Sequence, residues 1–430
     1  MRDRLSYGIL NRVSQAEEDN QPLNGMRIIR MLLPWREKLA TAFGTSHGNA
    51  DLTTINVLMV MLAAFYNPMA SSLRCIDALT RQKHIREQTG LSRVARSTLS
   101  DALKRFDPDQ LKPLIIELTE RIPALGRRDA DLEQITRQII AADGSYFNLI
   151  GEAVWAMNSS VRNDDGSIRR DQIRLNLQLD VQTFSPVECD ISGGDDNGEA
   201  KAFLRNIKPG VIYVVDRNFI HYGFINEIFD KGSSLVLRLK TSNKFEVETT
   251  REMDDSDHAA GVICDDLGYM SGAKSKGNQD HRSFSDKPPT RLLRRVVVLD
   301  QKNQRQMILL SDLLDVPARV IVTIYRQRWQ IELFFKWLKC WAGFEHMISK
   351  DPRALTLHFY VAVIATLLTH LTTGRRVSKY SIMYLSWVSQ GLMGWQDMEE
   401  GMALLEREKE LERVRLKRNR IAAALSKNGN

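Results

Sequence analysis

Two short apolar runs, each closed by an aspartate, constrain the fold more than any other feature. Residues 137–144 read Arg-Gln-Ile-Ile-Ala-Ala-Asp-Gly, and residues 211–216 read Val-Ile-Tyr-Val-Val-Asp. Each predicts a short buried strand ending at its aspartate, Asp143 or Asp216. Gly144 permits a sharp exit from the first, and Asn218, just beyond Asp216-Arg217, suits a tight turn after the second. Ligands of α/β sheets gather at the carboxyl ends of strands, so both aspartates can reach one site. Either aspartate alone is more simply a turn or cap residue.

The neighbouring pattern supports a sheet. Ile173, Leu175, Leu177 and Leu179 alternate with polar residues, which predicts a half-exposed strand; Val187, Cys189 and Ile191 alternate likewise and complete a hairpin with it. A Gly/Asp-rich turn, Gly193 to Gly198, precedes a short helix at 199–206. A helix at 219–229 and a strand at 234–240 follow. Residues 241–290 are polar, and strands are expected at 290–300 and 305–310, so 241–310 reads as a β-rich insertion with a mobile loop. The cluster Asp254, Asp255, Asp257 and His258 has metal-ligand residue types, but without apolar neighbours to fix it, it reads as a solvated loop.

A third carboxylate comes from Ile321–Lys339, IVTIYRQRWQIELFFKWLK, which lacks Pro and Gly and predicts one helix. At 100° per residue, Tyr325, Arg328, Glu332, Lys336 and Lys339 fall in a stripe roughly 80° wide. Apolar residues flank it, with Trp329 and Trp337 expected to pack the helix on the sheet. A half-buried ion-pair stripe would look the same, so the two aspartates decide the reading. Three carboxylates without paired thiols or histidines are hard-oxygen ligands suited to Mg²⁺ or Mn²⁺. Two such ions about 3.5–4 Å apart can activate a water or 3′-hydroxyl and stabilise the leaving oxygen of a phosphodiester. Arg328 suits a bidentate phosphate contact, Lys339 a point-charge contact, and Lys336 is a weaker candidate for the same role.

Helices flank this core. Ile28–Phe43 and Leu52–Tyr66 carry helical periodicity, as do Leu355–Thr372, Tyr380–Leu392 and Met402–Leu425. The last runs from glutamates to arginines, in the sense the helix dipole favours. At Leu91–Pro108, Ser92 and Ser97 are placed to cap two short helices. The second would present Arg96, Ser100, Lys104 and Arg105 to a DNA groove, or simply to solvent.

The chain's 60 basic and 53 acidic residues, a net charge of +7, suit a polyanion partner without requiring one. Four dispersed cysteines argue against a disulfide framework or structural zinc and suit a reducing compartment. The N-terminus carries no apolar signal core. Phe359–Leu371, the most apolar run, is shorter than the ~20 residues a membrane span needs, so a buried helix in a cytoplasmic protein is expected.

Tyr325-x-x-Arg328-x-x-x-Glu332-x-x-x-x-x-x-Lys339 resembles the Y-R-E-K signature of the insertion sequence 4 family of bacterial DDE transposases. Asp143-Gly-Ser is similar to that family's first catalytic motif and Asp216-Arg-Asn-Phe to its second. The resemblance spans roughly 135–350. It implies an α/β, RNase H-like catalytic core (131–240 and 311–350), the β-rich insertion at 241–310, a helical DNA-binding region at 1–130 and a helical region at 351–430 with a possible role in dimerisation. Asp143, Asp216 and Glu332 would be the metal ligands. Tyr325, Arg328 and Lys339 would contact DNA phosphates. The partners implied are double-stranded DNA, as terminal inverted repeats and target, and a second subunit, in cut-and-paste transposition. A nuclease without strand transfer and a non-catalytic DNA-binding derivative are the alternatives. Two departures stand out. Asn218 replaces the usual glycine, and its tolerance of left-handed geometry explains the exchange. The insertion also has no tryptophan to stack on a flipped base, which leaves Phe245, Tyr269 or Phe284.

Overall fold

A computed structural model describes residues 54–66, 72–83, 86, 93–122, 130–148, 161–162, 168–169, 172–192, 199–271, 287–300, 305–341, 351–389 and 392–427. The expected helix at 28–43, the turn at 193–198, the Ser92 cap and Phe284 lie outside them. The chain divides into two compact units, residues 1–103 with 368–430, and residues 104–367.

The described helices are α1 (Thr54–Phe65), α2 (Leu73–Arg81), α3 (Arg96–Arg105), α4 (Lys112–Glu120), α5 (Glu199–Leu204), α6 (Tyr222–Asp230), α7 (Asp255–Ala259), α8 (Ala318–Gln327), α9 (Trp329–Trp341), α10 (Pro352–Thr373), α11 (Lys379–Ser389) and α12 (Trp395–Lys427). The strands are β1 (Ile139–Asn148), β2 (Val161–Arg162), β3 (Ile168–Arg169), β4 (Gln172–Asp180), β5 (Ser185–Ser192), β6 (Ile212–Val215), β7 (Ser234–Leu239), β8 (Lys244–Thr250), β9 (Val262–Ser271), β10 (Leu293–Asp300) and β11 (Arg305–Ser311).

Unit 104–367 is built on a nine-stranded mixed sheet in the order β5-β4-β1-β6-β7-β11-β10-β9-β8, and β2 and β3 form a separate pair. Strands β1, β6 and β7 are parallel, and the other neighbours are antiparallel. One face packs Ile140, Ala142, Tyr213, Val215, Leu235 and Leu237 against α5 and α6 through Phe203, Phe219, Phe224 and Ile228. α8 and α9 cover other parts of the sheet, α8 against β7, β10 and β11, and α9 against β1 and β4. With both faces covered, β4 is buried throughout Leu175–Asp180, polar Asn176 and Gln178 included. That corrects the half-exposed reading: burial on two sides removes the need for apolar residues on one alone, provided polar ones find partners. Asn176 Nδ2 donates to Ser192 Oγ at 3.0 Å. The β4–β5 turn ends at Phe184, whose φ of 55° is costly for an aromatic residue. Its buried ring meets Phe334 of α9 edge-on at 5.8 Å, so the turn helps seat that helix.

The strands from 241 onward, β8 to β11, extend the same sheet through the β7–β11 pairing rather than forming a sheet of their own. A buried ion pair crosses this extension. Arg294 donates to both carboxylate oxygens of Asp265 at 2.7 and 2.6 Å, and its other nitrogen reaches the carbonyls of Leu313 and Val316. The acidic cluster at 254–258 is no solvated loop. Asp254 caps α7 in a reciprocal capping box with Asp257, and Arg319 joins both carboxylates, at 2.7 Å to Asp254 and 3.4 Å to Asp257. Charge pairing with a helix from another part of the chain supplies the order that apolar neighbours do not.

In the other unit, α1 buries Val57, Leu58, Val60 and Leu62, and Tyr66 shares a 3.1 Å hydrogen bond with Thr369. The described part of 91–108 holds a single helix, α3, with Ser97 inside it rather than capping it. Asp77 of α2 accepts the backbone N–H of Arg96 and so serves the start of α3. α10, most of which belongs to residues 104–367, runs 22 residues, longer than the apolar run suggested. It is long and apolar enough to cross a membrane, yet 83% of its most apolar window is buried within the protein.

Candidate active site

Asp143 owes its position to where a neighbouring strand stops. β1 pairs with parallel β6 from Ile139↔Ile212 to Ala142↔Val215 and no further. β6 ends because Asp216 turns its side chain back to accept the N–H of Asn218 at 2.8 Å, opening a 3₁₀ turn over 217–219. β1 does not end at Asp143. It continues to Asn148 on its antiparallel pairing with β4, because a backbone ladder needs no apolar side chains to run on. Gly144 therefore makes no exit. Asn218 is not left-handed either: among the described residues other than glycine, positive φ occurs at Phe184. The glycine serves close approach instead, since a Cβ there would stand 2.6 Å from Glu199 Oε1 and 3.2 Å from Arg174 Cδ.

The stripe expected on one helix falls on two. The chain breaks at Arg328, where successive three-residue turns (Arg328 N to Tyr325 O and Ile331 N to Arg328 O, both 3.1 Å) replace α-helical bonding. The stripe is a graded surface. Tyr325 is buried, Arg328 is 12% exposed, Glu332 is 33% exposed, and Lys336 is solvent-facing. Lys339 is half-buried with Nζ 5.0 Å above the Phe147 ring of β1. Trp337 packs inward as expected, but Trp329 is 58% exposed and Leu333 45%, because the break turns the start of α9 outward.

Arg328 joins the two elements of the site. Its Nη1 lies 3.4 Å from Asp143 Oδ2, its Nη2 donates to Glu332 Oε1, and its guanidinium stands 6.0 Å from the Tyr325 ring centre. Burial pushes the Asp143 carboxyl up to about 6. Arg328 and the Gly144 N–H oppose that rise, and the charges of Asp216 and Glu332 add to it. Glu199, at the start of α5, is pushed up to about 7 by burial and next by Asp143, with Arg174 and the Gly144 N–H opposing. Burial raises the Tyr325 hydroxyl, and Arg328 opposes. A small open pocket is lined by Asp143, Glu199, Asn176 and Phe219 among others.

The structure thus brings Asp143, Arg328, Glu332 and Tyr325 together, with Asp216 near enough to act on Asp143, and Lys339 against β1. Lys336 is solvent-exposed, and Arg96, Lys104 and Arg105 are exposed on α3. Phe245 is half-buried under the Arg295 guanidinium, 5.2 Å away, and Tyr269 is 38% exposed. Glu199, Arg174 and Arg238, the last acting on Tyr325, escaped the sequence reading. A glutamate opening a helix is what the helix dipole favours anyway, so Glu199 carried no distinguishing signal.

The donor chemistry fits a hard divalent cation, since every anionic group here offers carboxylate oxygen. Among the described residues no three such side chains already surround a common point, and the Arg328 guanidinium supplies positive charge to two of them.

Comparison with known proteins bears on this site. A family model described as a transposase DDE domain matches residues 135–368. Relatives named as transposases include y4zB of Sinorhizobium fredii, 24% identical over 193 residues, covering 45% of this chain and 51% of that one. The chain thus spans about half of y4zB. The protein named for insertion sequence element IS4SA of Synechocystis is 20% identical over 323 residues, 74% of this chain and 82% of its own. That for IS5377 of Geobacillus stearothermophilus is 21% identical over 320 residues, 73% and 78% respectively.

Proposed function

The chain belongs to the family of transposase DDE domains, and from that premise we propose that it cleaves DNA at the ends of an insertion sequence and joins them to a target, using Asp143, Asp216 and Glu332. One observation carries this reading: Asp143 and Asp216 each lie one residue beyond the last in-register pair of two parallel strands, and Arg328 ties Asp143 to Glu332. We read the β5-β4-β1-β6-β7 part of the sheet as an RNase H-like core, and Tyr325, Arg328, Glu332 and Lys339 as the Y-R-E-K set of the insertion sequence 4 lineage.

In this reading the three carboxylates hold Mg²⁺ or Mn²⁺, two ions in the full complex. When bound, the cations polarise the scissile phosphate and lower the pKa of the attacking water or 3′-hydroxyl. The protein's residues do the rest. Arg328, held beside the Asp143 and Glu332 carboxylates that would hold the cations, would offer its planar fork to a DNA phosphate. Lys339 and the outward Lys336 add phosphate contacts, and Tyr325, clamped beside Arg328, fixes its direction. The exposed bases of α3 (Arg96, Lys104 and Arg105) take the flanking duplex, and a second copy of the chain holds the other end.

The test uses purified protein, DNA carrying the element's ends, and Mg²⁺. Nicked and joined products that vanish with Glu332→Gln support the reading. Cutting without joining reduces the protein to a nuclease, and DNA binding indifferent to Mg²⁺ and to Glu332→Gln, with no cutting, overturns the enzymatic reading.

A further inference from the structure

Glu199 is held beside the reacting carboxylates from the opposite face of the sheet. Successive strand residues point to opposite faces, and Ile140 and Ala142 contact the α5–α6 side. Gly144 follows them in that alternation, while Asp143 meets Arg328 of the α8–α9 segment. α5 delivers Glu199 to the position a Gly144 side chain would occupy, with Oε1 2.6 Å from that virtual Cβ. Gly144 sits in ordinary strand pairing, opposite Asn176 of β4, so space rather than backbone freedom is what the glycine supplies. Oε1 is shielded from water and meets no donor at hydrogen-bond geometry among the described residues, although the Gly144 N–H acts on the carboxylate from close by. A buried carboxylate oxygen without a well-placed donor is costly, and a bound cation would offset that cost. Glu199 and Asp143 also line one pocket.

We propose that Glu199 is a fourth carboxylate of the cation site, facing a metal ion held by Asp143. This rests on reading Asp143, Asp216 and Glu332 as a cation site. The competing role is structural, a buried anion balanced by Arg174 of β4, whose Cδ lies 3.2 Å from the same virtual Cβ.

Mn²⁺ binding to the full chain, without DNA, separates the two. Calorimetric titration should show Glu199→Gln weakening Mn²⁺ affinity by roughly 10–100-fold, the range seen when a group supporting a metal is removed, with Glu199→Asp recovering part of it. Gly144→Ala, which pushes the carboxylate aside without removing it, should shift the isotherm in the same direction. It also keeps the test decisive should Glu199→Gln fail to fold. A wild-type isotherm for Glu199→Gln, or for Gly144→Ala if that variant alone folds, overturns the proposal. Asp143→Asn and Asp216→Asn are the reference. If they abolish binding and the Glu199 and Gly144 variants do not, Glu199 alone is wrongly assigned. If they too leave Mn²⁺ binding unchanged, the cation-site reading falls, and the role of Glu199 with it.

Discussion

Arg328 pairs with two carboxylates, and in the proposed DNA complex a phosphate would compete for it. The residue that feels this most is Asp143, largely buried and surrounded by Asp216, Glu332 and Glu199. Its carboxyl, raised to about 6 from an ordinary value near 3.8, adds stability that is fully present below the lower value and lost as pH rises through the upper one. Asp143→Asn escapes that loss. In EDTA at pH 8 it should be more stable than the wild type by on the order of 2–3 kcal/mol, the gain shrinking as pH falls from 6 toward 4. Urea unfolding at the two ends of this range checks it, and equal stability at pH 8 would remove the buried-charge account. Asp143, Asp216 and Glu332 were singled out in the sequence because an aspartate closing an apolar run and a spaced signature are local patterns. Glu199 was not, because its meaning comes from a contact across the sheet with Gly144.

At the scale of elements, what could be read depended on which forces act within one segment. Periodicity found β4, β5, β6 and β7, and the helices α8–α9 and α10. It missed the break at Arg328, since 321–339 contains neither Pro nor Gly and the contact that Arg328 makes there is with Asp143, far away in sequence. It also missed the continuity of β8–β11 with the main sheet, which rests on the pairing of β7 with β11 across the 65 residues between Leu239 and Arg305. That extension has its own keystone in Arg294–Asp265, with side chains 1% and 2% exposed. Removing one partner leaves a buried charge, so Asp265→Ala should cost about 3–5 kcal/mol. Replacing both residues with apolar ones of similar volume should cost far less. Chemical denaturation of the single and double variants measures the difference, and a single-variant loss under 1 kcal/mol would show the pair to be dispensable.

Over the whole of unit 104–367, opposed proton linkages meet in one pH window. Burial holds His358 of α10 down at about 4 from an ordinary 6.5. Its contribution is therefore present above 6.5 and lost as pH falls toward 4, by up to ~3 kcal/mol, while Asp143 gains over much of the same interval. Glu199, raised to about 7 chiefly by burial, adds to the Asp143 side, so wild-type stability should rise on acidification from pH 6.5 to 4.5 by less than the two carboxyls alone would give. His358→Gln should steepen that rise. A His358→Gln profile parallel to the wild type's would show that His358 does not contribute.

The in-register pairing of β1 with β6 makes the site a matter of parity. One residue inserted or deleted within 212–215 would carry Asp216 to the opposite side of the sheet, leaving its composition and most of its burial unchanged. A two-residue change would restore the side but displace the carboxylate along the strand by roughly 6–7 Å. The far edge of the sheet, beyond β7, is under no such rule. Length can drift among β8–β11 while the carboxylates stay opposed, so variation in this family is expected to accumulate there and to be nearly absent from two four-residue windows.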